Sequence, residues 1–558
     1  MRLKKFLILL GLCLLVGCGG DGITIKEVSP NELIDTTPYP GGEISIPLTN
    51  PDGFNPLLTN NESYFYFSKL MFDSLFTVDD GGKVVPQLAE HYEYSVDGHT
   101  LSVTLKENLT WQDGEPLTAY DVAATFNAMR HLPGSSPYGR LLRQCVGVAH
   151  GFSPDGFGRA VVFDDRNVDF QFDKPYKNAP LMLTFPILPS HLYTEEQMMT
   201  HEGFQLVGSG AYRLEHIVPN QEIVLQKDPN YSGKAAYIDT IRGKILHNEE
   251  DAENALRTGE VNVATPKGYD WDQYKDHPKI SVEEYETGDM EILALNTEAP
   301  IFQGERGKLI RQAISRGINK QRMIDSLYLG KATEVSNLFP GEGKVDHQAK
   351  VYYNPEAARE LLTKAGYHDG EDGLLQDDSG NHITLAVTTN SFQLNHRIIV
   401  DLIVDDLRGL GIDAHSAYQE VDPEHTYTQE EIVEQWGSFY PALQRGEFQA
   451  ALVGVQTLPD GDPSPLLYSG AIGNTNIARF REKTFDDFLE KMNLGVDDDD
   501  TTPYNNTSKR FVEESPYVPL FTKKGALLKD NRLKGRIHPS SYDLYGGLRE
   551  VFIPKELH

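Results

Sequence analysis

A chain of 558 residues is too long for one hydrophobic core and divides into more than one domain. Hydrophobic residues make up 39% of it and charged residues 24%, the composition of a globular protein rather than a fibrous or membrane-embedded one. The formal net charge of −31 argues against nucleic acid or an anionic membrane surface as the ligand, because both reward lysine and arginine.

The chain starts with Arg2, Lys4 and Lys5, followed by an apolar run from Phe6 to Val16. That run suits a secretory signal and falls short of the roughly 20 residues needed to span a bilayer. It ends in Leu15-Val16-Gly17-Cys18, which resembles a bacterial lipobox. A small Gly17 lets a signal peptidase reach the scissile bond, and Cys18 supplies the thiol for lipidation. The expectation is a lipoprotein signal over 1–17, a lipid anchor at Cys18 and an extracytoplasmic location. Residues 18–42, with Pro30, Pro38, Pro40 and several glycines, read as a tether. Cys13 leaves with the signal, so Cys145 is the remaining thiol and no internal disulfide is expected. It reads as a buried apolar residue, and no His/Cys spacing calls for a metal or cofactor.

Beyond the tether, short strands and amphipathic helices alternate irregularly, the pattern of mixed α/β domains. Leu101, Val103 and Leu105 alternate with polar residues and predict a half-buried strand. Thr118, three places before Asp121, predicts a helix start, with Val122, Phe126 and Met129 on its apolar face. Leu309, Ile310, Ala313 and Ile314 predict a second helix ending near Gly317. Asn354-Pro355 opens a third, with Ala358, Leu361, Leu362 and Ala365 inward and Gly366 as its stop. Ile399, Leu402, Ile403, Leu407 and Leu410 form a fourth, closed by Gly411. Asp497 to Asp500, followed by Thr501-Thr502-Pro503-Tyr504-Asn505-Asn506, reads as a solvated acidic loop and not as a calcium loop, since the spaced Asp-x-Asp-x-Asp-Gly pattern is missing.

The order of these segments resembles family 5 of the extracellular solute-binding proteins, the group with oligopeptide-, dipeptide- and nickel-binding members. The resemblance rests on Phe54-Asn55-Pro56-Leu57, on Leu70 to Leu75, and above all on Pro86 to Phe126, PQLAEHYEYSVDGHTLSVTLKENLTWQDGEPLTAYDVAATF. Gly208-Ser209-Gly210-Ala211-Tyr212, Leu295-Asn296-Thr297 with Arg311-Gln312-Ala313-Ile314, Tyr353 to Tyr367, and Pro516 to Phe521 extend it over nearly all of the mature chain. It implies a two-lobed α/β fold of the periplasmic-binding-protein type II, with an extra subdomain and two crossover strands joining the lobes. Lobe one would comprise 43–295 plus 521–558, with the subdomain at about 56–190, and lobe two 296–520.

The function implied is the substrate-binding component of an ABC importer, a monomer that captures a peptide or similar small solute and delivers it to a membrane permease. By position in the family pattern, the expected ligand contacts are Asn60, Glu62 and Tyr138 from lobe one, and Trp436, Gln456, Thr457 and Asp460 from lobe two. Glu62 reads equally as a helix-start carboxylate, and Tyr138 and Trp436 as packing residues. Peptide-binding members carry an Asp after a Trp that pairs with the ligand's α-ammonium. Here those places fall on Pro459 and Gln456, leaving Asp460 one position late. An enzyme is the rival class, but the chain has neither Gly-x-Ser-x-Gly, His-Glu-x-x-His nor a phosphate loop. A ligand sensor on the same scaffold, without an importer, is the other alternative.

Overall fold

The computed structural model describes residues 37–557 except 133–135, 151–157, 173–174, 249, 339–348, 419–420, 422–427, 459–460 and 494–501. Cys18 and Asp460 therefore lie outside the described residues. Three principal sheets organise the rest. The first joins Glu43–Leu48, Thr240–Ile245, Glu222–Lys227 and Tyr212–Val218 in that spatial order, the first pair parallel and the others antiparallel. The second is an antiparallel sheet in the order Ala89–Tyr94, Thr100–Leu105, Asn167–Gln171 and Arg159–Val162.

Alternation decides which face of the second sheet is buried. Leu101, Val103 and Leu105 are buried, and Leu101 and Val103 lie opposite Phe170 and Val168 on the neighbouring strand. The helix Ala119–Ala128 covers that face, with Phe126 against Phe170 at 4.9 Å between ring centroids. Each such apolar side chain removed from water contributes about 1.5–3 kcal/mol. Asp121 Oδ2 accepts from the Thr118 backbone N–H at 2.8 Å, so the expected start of this helix is observed.

The third sheet has seven strands and joins the two halves of the molecule. Its centre is an antiparallel pair of long strands, Ile280–Leu295 and Tyr517–Asp530. From Ile280 to Glu286 the pair is bordered by Val263–Ala264, which bonds the far edge of Tyr517–Asp530. From Asp289 to Leu295 the first strand also pairs with Ala450–Gln456, and so with Thr384–Thr388 and Asp413–Ser416 beyond it. The register shifts between Glu286 and Met290, where the partners change. Separate apolar cores form on either side of this point. One runs from Ile44 through Ile241 and takes in Leu533 to Ile553 from the chain's return, and two others lie within 290–521. The expected α/β architecture with two crossover strands is thus observed.

Helices Gly304–Gly317, Pro355–Lys364 and Leu394–Gly409 match the expected stripes. Asn354 Oδ1 accepts from the Ala357 N–H at 2.9 Å, and Gly366 and Gly411 follow their helices in the left-handed conformation. Cys145 is buried, as expected of a lone free cysteine. One local expectation is corrected. The sequence predicts loop through Asn506 after the acidic run, but the helix Thr502–Glu514 begins within that stretch. Pro503 suits a first helical turn, and the buried Phe511 and Val512 anchor the far end, so packing outweighs the weak helix propensity of two asparagines.

Candidate binding site

A cavity of about 440 Å³ lies where the crossover strand Ile280–Leu295 meets the first core. Its floor follows from close backbone approach. A Cβ on Gly208 would lie 1.9 Å from the Met71 carbonyl oxygen, so no larger residue fits the turn Gly208–Tyr212 as it stands. The Gly210 and Tyr212 N–H groups donate to the carbonyls of Met71 at 2.7 Å and Leu70 at 3.0 Å. Gln112, from the Trp111–Gly114 segment, holds the same turn. Its Nε2 donates to the carbonyls of Gly210 at 3.1 Å and Tyr212 at 2.8 Å, and its Oε1 accepts from the Gly208 N–H at 3.0 Å. Two of the segments that carried the family resemblance therefore clamp Leu70–Asp73 against the cavity.

The polar lining carries both signs of charge. Asp73 is almost fully buried and accepts from Gln87 Nε2 at 2.6 Å and Tyr231 Oη at 2.9 Å. Burial pushes its carboxyl up to about 6, while Arg549 and the Tyr231 bond pull the other way. Arg549 donates to Tyr231 Oη from beside that ring. Burial lowers its pKa, and Tyr231, Asp73 and Asp543 outweigh that and raise it. Burial raises Asp543, with Lys69 opposing. Lys69 reaches Tyr138 Oη at 3.3 Å and lies 4.8 Å from the centre of the Phe65 ring. Arg140 is lowered by burial, with Glu62 opposing.

Four of the expected contacts line this cavity together: Asn60, Glu62, Tyr138 and Gln456. Glu62 stands in the first turn of the helix Glu62–Ser68, whose cap is Asn61, so the helix-start reading and the cavity position hold at once. Tyr138 is buried against Phe65 at 5.3 Å and also faces the cavity. Gln456 is exposed, and its Nε2 donates to the Thr287 carbonyl at 3.0 Å. Thr457 is not part of the cavity wall. Its hydroxyl donates to the Gly288 carbonyl at 3.0 Å, and its own carbonyl accepts from Tyr542 Oη at 3.4 Å across the lobes. Trp436 lies on the helix Gln429–Arg445, with its side chain outside the described residues.

Sequence reasoning missed Lys69, Asp73, Asp289, Asp543 and Arg549, all on the cavity wall. Asp73 carried a signal, since it is the one acid in the apolar run Leu70 to Leu75. A second cavity of about 420 Å³ shares Glu62, Tyr66, Tyr285 and Tyr545 with the first and extends to Tyr269 and Trp271. These aromatic walls and scattered charges give a cleft that can orient a polar solute while covering its apolar parts.

Such a cleft at the junction of two α/β lobes defines a solute-binding architecture. The profile of the bacterial extracellular solute-binding proteins, family 5, matches residues 83–476, and the chain belongs to that family. Heme-binding protein A of Haemophilus influenzae is 24% identical over 522 residues, covering 89% of this chain and 90% of that protein. The dipeptide-binding protein of Escherichia coli is 25% identical over 464 residues, covering 79% and 81%. The solved structure of HbpA2 from Haemophilus parasuis has the same fold, with a TM-score of 0.75 at 21% identity over 92% of this chain and 100% of that one. So has the oligopeptide-binding protein AppA from Bacillus subtilis in complex with a nonapeptide, with a TM-score of 0.64 at 19% identity over 93% and 100%.

Proposed function

We propose that this protein is the substrate-binding component of an ABC importer and encloses a peptide or peptide-like solute between its lobes, releasing it chemically unchanged to a permease. The observation that carries this reading is the cavity at the lobe junction, where Lys69, Arg140 and Arg549 face Glu62, Asp73, Asp289 and Asp543 among aromatic walls. A peptide presents both charges, amide donors and acceptors, and apolar side chains, and this lining answers each of them. Relatives named for dipeptide and oligopeptide binding support the same ligand class.

In this reading the lobes are 43–295 with 521–558, and 296–520, and they hinge on the bend at Thr287–Asp289. Asn60, Glu62, Tyr138 and Gln456 touch the ligand directly, and Trp436 and Asp460 complete the second-lobe wall. The protein acts as a monomer held outside the cytoplasm by a lipid on Cys18. Cys18→Ser should move it from the membrane fraction to the soluble one.

Thermal unfolding with a library of di- to pentapeptides tests the ligand class. A ligand at a hundred times its Kd stabilises the folded form by about 2.7 kcal/mol, which is visible as a rise in Tm. If no peptide in the library raised Tm while a heme or metal chelate did, the peptide reading would fail.

A further inference from the structure

The second cavity differs from the first in what lines it. Seven charged residues line the first, whereas among the described residues only Glu62, which the two share, and Lys524 line the second. Its walls are aromatic instead: Tyr66, Tyr285 and Tyr545 on the side shared with the first cavity, and Tyr269 and Trp271 beyond them. The Trp271 Nε1 donates to Glu284 Oε1 at 2.7 Å, and the Tyr66 hydroxyl donates to the Ser541 carbonyl at 3.0 Å. The polar tips of these two rings are thus engaged, and ring surface is what they can offer a guest.

The space between the walls exists because the residues that face it are small. Ala264, Gly268, Gly525 and Ala526 line it from two strands and a loop. Gly525 stands opposite Tyr285 in the strand pairing, and a Cβ there would come to 2.5 Å from the Tyr285 ring. The ring therefore lies across the glycine and forms part of the shared wall. About 420 Å³ is left open. An apolar cavity of about 150 Å³ already takes a benzene ring.

We infer that this second chamber is a subsite for an aromatic or other bulky apolar group, so that the protein selects peptides that carry one. The inference rests on the peptide reading above and adds selectivity to it. The charged first cavity holds the polar part of the ligand, and the aromatic second one takes a neighbouring side chain. Because four residues line both, one ligand can occupy the two at once. A peptide of small side chains leaves the second chamber to water and forgoes its apolar contact.

Calorimetric titration of trialanine, and of the three tripeptides in which phenylalanine replaces one alanine, tests this. Burial of a phenyl group predicts that at least one of the three binds the wild type about tenfold to hundredfold more tightly than trialanine. Two variants alter the second chamber and not the first. Thr265→Trp puts a ring at its exposed rim, and Tyr269→Ala removes one of its walls. Each should lower the ratio of phenylalanine-peptide to trialanine affinity, to near one in Thr265→Trp. Tyr269 also packs on Tyr328 at 4.9 Å, so its loss should lower Tm, whereas Thr265→Trp should melt as the wild type does. A ratio that keeps its wild-type value in either variant overturns the assignment. So does equal wild-type affinity for all four peptides, which leaves the peptide reading standing, whereas binding of none removes that reading too.

Discussion

The two walls of the cleft hold their polar groups in different ways. On the first-lobe wall Asp73, Tyr231, Gln87 and Arg549 bond to one another, and Lys69 bonds Tyr138. On the wall formed by the crossover strand, Asp289 faces the cavity without a bonded partner among the described residues, and Gln456 and Thr457 are tied to the backbone at Thr287 and Gly288. A closed network keeps its shape whether or not a ligand is present. An open one carries an electrostatic cost that a ligand can remove, and a strand bridging two bodies is a good place for a ligand to act on their relative position.

The contrast sharpens two places further along the same strand. Glu291 is fully buried, and its two oxygens face Lys523 at 2.7 Å and His396 Nε2 at 3.0 Å. Burial pushes its pKa up, but the His396 bond and the Lys523 charge outweigh burial and leave it below the ordinary value. His396 comes from the second-lobe helix Leu394–Gly409 and Lys523 from the partner crossover strand, so one carboxylate binds three elements behind the open wall. Glu291→Ala should cost about 3 kcal/mol in denaturant unfolding, because it takes the counter-charge from the half-buried Lys523 and the partner from the buried His396. A loss below about 1 kcal/mol would mean that the site behind the open wall is no better bound than a surface pair.

The closed wall should respond to pH. Asp73 titrates near 6 in the folded protein and near 3.8 when unfolded. Between those values the folded state holds a proton that the unfolded state has released. Folding stability from this group is therefore greatest below about pH 4, falls as pH rises through the window, and is flat above about pH 6. A shift of about two units corresponds to about 3 kcal/mol. Asp73→Asn cannot ionise, so its stability relative to the wild type should climb by about that amount between pH 4 and 7. Parallel pH profiles for the two proteins would show that Asp73 is better solvated than its burial implies.

How much of this was legible in the sequence follows from how local each signal is. The Thr118–Asp121 and Asn354–Pro355 helix starts and the Leu101–Leu105 alternation need only near neighbours, and each formed as read. Asn60, Glu62, Tyr138 and Gln456 are expected contacts by family position, and the fold brings them to one cavity. The groups that were missed depend on distant partners. Asp73, Tyr231 and Arg549 come from three separate segments, and no periodicity links them. Glu291 resembles Asp73 in standing as a single acid in an apolar run, Met290 to Leu295, which in retrospect marks it as a buried, paired charge. Thr457 illustrates the opposite limit, since only the register of Ala450–Gln456 against the crossover strand Ile280–Leu295 reveals that its hydroxyl is held by Gly288.

Gly288 offers the mildest way to disturb the open wall. It lies in the left-handed region at φ +75°, at the shift where the strand changes partners. A Cβ added there would approach Gln456 Nε2 and Thr457 Oγ1, each to 3.1 Å. Those atoms are the ends of side chains, so they can yield, but both are bonded to this bend and would take those bonds with them. Gly288→Ala should therefore cost about 1–2 kcal/mol in stability from the backbone conformation alone. It should also weaken peptide binding severalfold in calorimetry as Gln456 is displaced from the cavity mouth. Loss of stability with unchanged affinity would assign Gln456 to the hinge and not to the ligand. Loss of affinity together with stability would show that the second lobe reaches the ligand through this one bend.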